Sequence, residues 1–270
     1  MQLEAKMKNL RYYLDTNAVQ SLGTRLEAMP NECAYTSVWT QLELVSAIKD
    51  NDSFRRKSGA LRHLNKSGVY VDPVIPGAKQ LQAFGCNVPE GCKLSSLSEL
   101  IIPMIFASGS HEEFLMQIER LGLGKVIELI KETDHVTQDF DEQIKSRLDL
   151  RIDDFEEKWT KGDKNELLQD AIGYYATLLE AKLHNPRNVL ISAYDHSMDY
   201  YMLIHYYYIE QKRYSRNQPA KNDFNDLMHL QYLTNGCKLV TDDTGFQKYV
   251  NTVVNGLAIG TEQFMEEIGV

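Results

Sequence analysis

The sequence predicts an α/β fold: a central parallel sheet flanked by helices, with a mainly helical insertion. Three observations predict it. Short apolar runs, such as residues 10–14 and 237–240, each end in a polar and acidic cluster before a segment of helical apolar spacing begins. That strand-to-helix alternation occurs at both ends of the chain. The middle of the chain instead carries helical periodicity with few breaks.

In order, residues 10–14 (LRYYL) read as a first strand delivering Asp15, Thr16 and Asn17 at its carboxyl end, before a short helix over 18–26. Asp15 or Asn17 is equally readable as the cap of that helix. Residues 34–36 form a brief strand, after which Thr36 or Ser37 caps a helix with Val38, Leu42, Val45 and Ile48 on one stripe. Glu43 flanks that stripe beside Trp39, where a carboxylate can point into a cleft or simply be solvated. Residues 55–66 (RRKSGALRHLNK) are basic, and 68–71 read as a short strand ending at Pro73.

From there the pattern changes. Residues 76–110 read as irregular, with several prolines and glycines, and 111–183 as mainly helical. Val136, Phe140, Ile144, Leu148, Ile152, Phe155 and Trp159 mark one long amphipathic helix. Residues 188–194 read as a strand or a helix start, and the Tyr-rich stretch 200–208 has helical spacing. The expected organisation is a single domain over 1–270, its core built from 1–72 and 188–270, with 73–187 as the insertion.

The densest chemistry lies in residues 222–246, NDFNDLMHLQYLTNGCKLVTDDTGF. Asp223 and Asp226 project from one face at the start of an apolar helix, where both also suit its N-terminal dipole. Gly236 stops that helix, 237–240 follow as a strand, and Thr241, Asp242 and Asp243 come at its carboxyl end. DDTG by itself is also ordinary turn chemistry. Residues 253–259 read as a last strand, and Thr261 caps a closing helix. In open α/β sheets, ligands bind outside the carboxyl ends of the strands, which is where these acids fall.

A net charge of −9 argues against a general electrostatic nucleic-acid binder. It does not argue against an enzyme that holds divalent cations on carboxylates and meets phosphates through the metal and a local basic patch. Lys212, Arg213, Tyr214, Arg216 and Lys221 form such a patch with an interleaved aromatic, suited to backbone contact and base stacking. Cys33, Cys86, Cys92 and Cys237 lack paired spacing, so they predict neither a zinc site nor a disulfide framework. The first residues lack an apolar signal core and no apolar run is long enough to span a bilayer, so the expected location is cytoplasmic, away from membranes.

LDTN after a first strand, an isolated Glu43 in TQLEL, NDFNDLMHL, then LVTDDTGF and a closing GTEQF resemble, in that order, the PIN-domain family of metal-dependent ribonucleases, which includes the VapC-like toxins. The resemblance covers about 10–49 and 221–268. It implies that Asp15 is the first acid, Glu43 the second, Asp226 the third and Asp243 the fourth, with Asp223 as rival or additional ligand and Asp242 as neighbour of the fourth. In the family's T-x-D-x-x-F pattern, Thr241, Asp243 and Phe246 match. The chain departs from small members in the long separation of Glu43 from Asp223.

A cluster of four carboxylates needs cations or raised pKa values, because two at roughly 4 Å repel by about 4 kcal/mol at an effective dielectric near 20. Hard, oxygen-liganded Mg²⁺ or Mn²⁺ suits the donor set. The expected activity is hydrolysis of RNA phosphodiesters by metal-activated water, leaving a 5′-phosphate and a 3′-hydroxyl. Thr16, Asn17 and Thr241 would support the ligands by hydrogen bonding. His229 is expected to pack within its helix. RNA is the expected substrate, with DNA left open; an antitoxin or other protein regulator and a homodimer are the partners that the resemblance implies. The alternatives are a PIN-like scaffold that binds RNA or protein without cutting, and a phosphatase of the haloacid-dehalogenase type. Asn17 departs from the D-x-D nucleophile loop of the latter.

Overall fold

A computed structural model describes residues 11–30, 32–88, 97–123, 155–215 and 223–270. In chain order the elements are β1 (Tyr12–Leu14), α1 (Thr16–Leu22) continuing as a 3-10 segment (Gly23–Ala28), β2 (Ala34–Ser37), α2 (Val38–Ser46), α3 (Asn51–Lys66), β3 (Tyr70–Asp72), α4 (Pro76–Ala83), a π-helical turn (Leu97–Ile101), α5 (Ile102–Ala107) and α6 (His111–Arg120). There follow α7 (Phe155–Lys161), α8 (Lys164–Leu183), α9 (Arg187–Ala193), α10 (Asp199–Ser215), α11 (Asp223–His229) with a 3-10 turn (Leu230–Tyr232), β4 (Lys238–Val240), α12 (Thr244–Val253), β5 (Ala258–Ile259) and α13 (Thr261–Ile268). No helix among the described residues is long and apolar enough to cross a membrane.

The chain divides into two compact units. The first comprises Met1–Ile75, Glu90–His135 and Gly236–Val270, and holds the sheet; the second comprises Pro76–Pro89 and Val136–Asn235, and is helical where described. Residues 188–235, read from sequence as part of the core, thus cluster with the helical unit.

The fold is α/β, with five strands in the order β3-β2-β1-β4-β5, all parallel, and flanking helices. Register sets Leu14 beside Val240 and Ser37 beside Asp72, so the carboxyl ends of the strands share one edge. Parallel strands covered on both faces should be apolar throughout. Tyr13, Leu14, Leu239 and Val240 are indeed fully buried. Tyr13 packs edge-on against Tyr35, ring centroids 5.3 Å apart, and its hydroxyl shares a 2.7 Å hydrogen bond with Ser37. At the opposite edge, Tyr12 meets Phe264 of α13 edge-on at 4.9 Å, while its hydroxyl and Lys238 both donate to Glu267 at 2.8 Å.

Strands β1, β2 and β4 pass into their helices through polar caps. Asp15 accepts from the Ala18 N–H at 2.7 Å, Ser37 from the Thr40 N–H at 3.3 Å, and Asp243 from the Phe246 N–H at 2.8 Å. Asp50 and Ser53 form a reciprocal capping box at the start of α3.

Several boundaries differ from the sequence reading for physical reasons. The first helix begins at Thr16 and tightens into 3-10 geometry at Gly23, whose φ of +49° ends the α-helical run. The described part of the stretch 76–110 is not irregular: it contains α4 and α5, with Pro76 opening α4 and Pro103 in the first turn of α5. Residues 188–193 fall in α9, the helical one of the two readings left open. The last strand is only Ala258–Ile259, because α12 runs to Val253 and Gly256, at φ +74°, turns the chain. Of the expected long helix over 136–159, the part before Phe155 lies outside the described residues.

Within the helical unit, α8 buries Leu167, Ala171, Ile172 and Tyr175 and packs against α9 and α10. Trp159 stacks on Tyr207 at 4.4 Å, and Tyr201 lies between Tyr175 and His205 at 5.7 and 5.1 Å. Gln80 of α4 donates to the Tyr201 hydroxyl at 2.8 Å.

Candidate active site at the carboxyl edge of the sheet

In the sheet-bearing unit, β1 connects towards β2 on one side while β4 lies on the other, so the boundary between β1 and β4 is where the strand order reverses. A crevice at the carboxyl ends of such strands is the usual ligand position of an open parallel sheet. Asp15 follows β1 directly and is 2% exposed; its backbone N–H donates to the Val240 carbonyl at 3.2 Å, holding it against the end of β4. Its Oδ1 caps α1.

Glu43 reaches the same edge from α2. The Thr16 hydroxyl donates to Glu43 Oε2, joining the first turn of α1 to the middle of α2. Thr36, fully buried, lies next to the Leu14 carbonyl at 2.7 Å and the Thr40 hydroxyl at 2.9 Å, which fixes the start of α2 against the end of β1. Beyond β4, the buried Thr241 accepts the Asp243 N–H at 3.1 Å and so orients the turn that carries Asp243.

The two adjacent aspartates of DDTG have different surroundings. Asp242 accepts the Thr261 N–H at 2.9 Å and its hydroxyl at 2.8 Å, which ties the β4 turn to the start of α13. Partial burial raises its pKa, but the Thr261 N–H, the Ser21 and Thr261 hydroxyls and Arg25 outweigh this and hold the carboxyl below its ordinary value. Asp243 instead caps α12 through Oδ1. Asn17 is exposed on α1. Asp72, buried at the end of β3, is a further carboxylate on this edge, where it closes a turn on the Val74 N–H at 3.0 Å.

Lys57 of α3 was not singled out by its sequence context. It is half-buried and donates to the Gln20 side-chain oxygen, while the Gln20 amide nitrogen donates to the Thr16 carbonyl at 3.1 Å. Burial pushes the Lys57 ammonium pKa down, Arg56 pushes it the same way, and the nearby Glu43 opposes them. The sequence signal for it lies in the helix period, discussed below.

In the helical unit, Asp223 and Asp226 occupy the first turn of α11, both half-exposed. The Asp223 carboxylate accepts the Tyr208 hydroxyl at 2.7 Å and pairs with Lys212 at 3.1 Å, and the Lys212 ammonium lies 5.2 Å from the Tyr208 ring centroid. Lys212, expected to meet nucleic acid, is thus engaged inside its own unit. The side chains of Arg213 and Tyr214, and all of Arg216 and Lys221, lie outside the described residues. His229 is buried, as a helix-packing histidine should be.

For a metal, the donors at the sheet edge are all oxygens, the chemistry that Mg²⁺ or Mn²⁺ requires. Asp15 and Asp243 each spend one oxygen on a helix cap, and a carboxylate has acceptor capacity on both. Among the described residues, no three His, Cys, Asp or Glu side chains gather as a ready-made metal-binding group. The donor set therefore fits such an ion by chemistry, without a pre-assembled cage. The chain matches no protein family, no curated protein and no solved structure.

Proposed function

We propose that the protein is a PIN-type, metal-dependent nuclease that hydrolyses RNA phosphodiesters. The observation that supports this most is that Asp15, the Thr16–Glu43 pair and the Thr241–Asp243 turn all lie along the carboxyl edge of an all-parallel sheet, beside its strand-order reversal. Structural needs explain each cap separately. They do not explain why a half-buried glutamate in the middle of α2 is joined to the residue that follows Asp15.

In this reading Asp15, Asp243 and Glu43 would hold Mg²⁺ or Mn²⁺, and the bound ion would activate water and offset charge on the phosphodiester. The protein's own contribution is orientation. Thr16 keeps Glu43 turned to the edge, Thr241 sets the Asp243 turn, and the β1–β4 pairing fixes Asp15 between them. Asp226 enters as third acid through its sequence position alone. A protein regulator of antitoxin type and a homodimer belong to the same reading.

The test is cleavage of end-labelled single-stranded RNA and matched DNA with Mn²⁺ or Mg²⁺, against EDTA. The expected result is metal-dependent cutting of RNA, lost in Asp15→Asn and Asp243→Asn. Wild-type protein that cuts neither strand with either metal overturns the proposal.

A further inference from the structure

Lys57 occupies the wrong side of its helix for a solvated cation. On α3, Phe54, Leu61 and Leu64 are buried, and at 100° per residue Lys57 lies within the arc that these three define. A lysine on a buried stripe normally extends its stem along the apolar surface and brings its ammonium to water or a carboxylate. Here the ammonium meets the neutral oxygen of Gln20, and among the described residues no ion pair engages it. A half-buried ammonium whose direct hydrogen-bond partner is a neutral amide oxygen is favoured by an anion brought within reach.

The remaining cations of α3 separate into two groups. Arg62 donates to the Phe106 carbonyl at 2.7 Å and lies over its ring; His63 and Lys66 face Glu27 at 2.7 and 3.8 Å. Those belong to the distal half. In the proximal half, Arg55 and Arg56 are exposed, and Arg56 is close enough to Lys57 to disfavour its charge. Lys57 is in turn linked to the acidic edge through Gln20, the Thr16 backbone and the Thr16–Glu43 hydrogen bond.

We propose that Lys57, with Arg56 beside it, is a positioning residue that holds the phosphodiester backbone of a nucleic-acid strand next to the Asp15–Glu43 edge. This rests on the nuclease reading of that edge. It relocates the phosphate contact from the segment around Lys212, which is occupied with Asp223, to α3. Glu43, near Lys57, offsets part of the cost of burying its charge, and a phosphate would bring a direct anionic partner.

The experiment is fluorescence anisotropy with a short labelled single-stranded RNA in EDTA over a salt series, using wild type, Lys57→Met, Lys57→Arg and, as a charge-matched control on the same helix, Lys66→Met. Lys57→Met is expected to weaken binding about tenfold, the value of one charge-assisted hydrogen bond. It should also flatten the slope of log affinity against log salt by about 0.7, the single-strand value for one phosphate contact. Lys57→Arg should retain most of the affinity, Lys66→Met all of it, and the melting temperature of Lys57→Met should equal or exceed that of wild type. Wild-type affinity and slope in Lys57→Met, or a wild type that does not bind RNA, overturns the inference. A cleavage assay with Mn²⁺ separates the two readings. Cutting with an unchanged KM in Lys57→Met removes the role of Lys57 and leaves the nuclease standing; Lys57-dependent binding without cutting keeps the backbone contact and removes the nuclease.

Discussion

The backbone N–H of Asp15 donates to the carbonyl of Val240 across 3.2 Å, so the two central strands stay joined up to the residue that carries the first carboxylate. Asp15 therefore has a structural task and a proposed chemical one, and they can be separated. Asparagine caps helices about as well as aspartate, whereas alanine costs about 1 kcal/mol. Asp15→Asn is expected to unfold in urea within a few tenths of a kcal/mol of wild type and to lose metal-dependent cleavage. Asp15→Ala should lose both. Loss of stability in Asp15→Asn comparable to the alanine variant would assign Asp15 to the fold alone.

Asp242 and Asp243 should diverge in the opposite sense. Removing the Asp242 carboxylate deprives Thr261 of its acceptor, so Asp242→Ala is expected to lose about 1 kcal/mol at neutral pH while most cleavage remains. The folded-state pKa of Asp242 is depressed below its ordinary value. A depressed carboxyl stabilises the fold above its unfolded pKa, and that contribution disappears as pH falls through the folded value. The difference between wild type and Asp242→Ala should therefore be constant from neutral pH to about 5 and shrink below about 4. Denaturant melts across that range check the sign.

In α11, the tie of Asp223 to Tyr208 and Lys212 predicts that the two acids are not equivalent. Asp223→Asn should lower the stability of the protein by about 1 kcal/mol and retain cleavage, and Tyr208→Phe should reproduce part of that loss. Asp226→Asn should abolish cleavage with little change in melting. Reversed outcomes would make Asp223 the third acid.

Metal binding has a readout that does not depend on turnover. An ion that binds only the folded state stabilises it by about 2.7 kcal/mol at a hundredfold excess over its Kd. Mn²⁺ is expected to raise the wild-type melting temperature, EDTA to reverse this, and Asp15→Asn with Asp243→Asn together to remove the shift. An equal shift in that double variant would place the ion elsewhere.

Much of the sheet-bearing unit was readable in the sequence because its strands are buried on both faces and punctuated by acids. LRYYL and CKLV announce β1 and β4 through apolarity, and Asp15 and Asp243 announce the helices that follow through capping chemistry. The same chemistry blurred the site, since a capping aspartate and a ligand aspartate are identical in sequence, and what separates Asp242 from Asp243 is contact with Thr261, Ser21 and Arg25 on one side and the Phe246 N–H on the other. Pro76 and Pro103 misled, because each stands at the start of a helix instead of breaking one. Lys57 was legible in principle: it stands three residues after Phe54 and four before Leu61, on the apolar period of α3. In a run reading RRK it looked like one more surface cation. The tie of Lys212 to Asp223 was not legible, because a basic segment next to an acidic one suggests an external partner as readily as an internal one.

The pairing of residues 12–14 with 238–240 also has a consequence for biosynthesis. During translation β1, β2 and β3 emerge together, yet β4, which completes the centre of the sheet, leaves the ribosome only after residues 73–237 have been made. Until then one side of β1 has no backbone partner in the native sheet, an exposed edge of the kind that recruits foreign strands. Non-local parallel pairing of this sort is slow to form and prone to aggregation while it waits. Nascent chains halted before Gly236 should therefore need chaperone protection that chains carrying β4 do not.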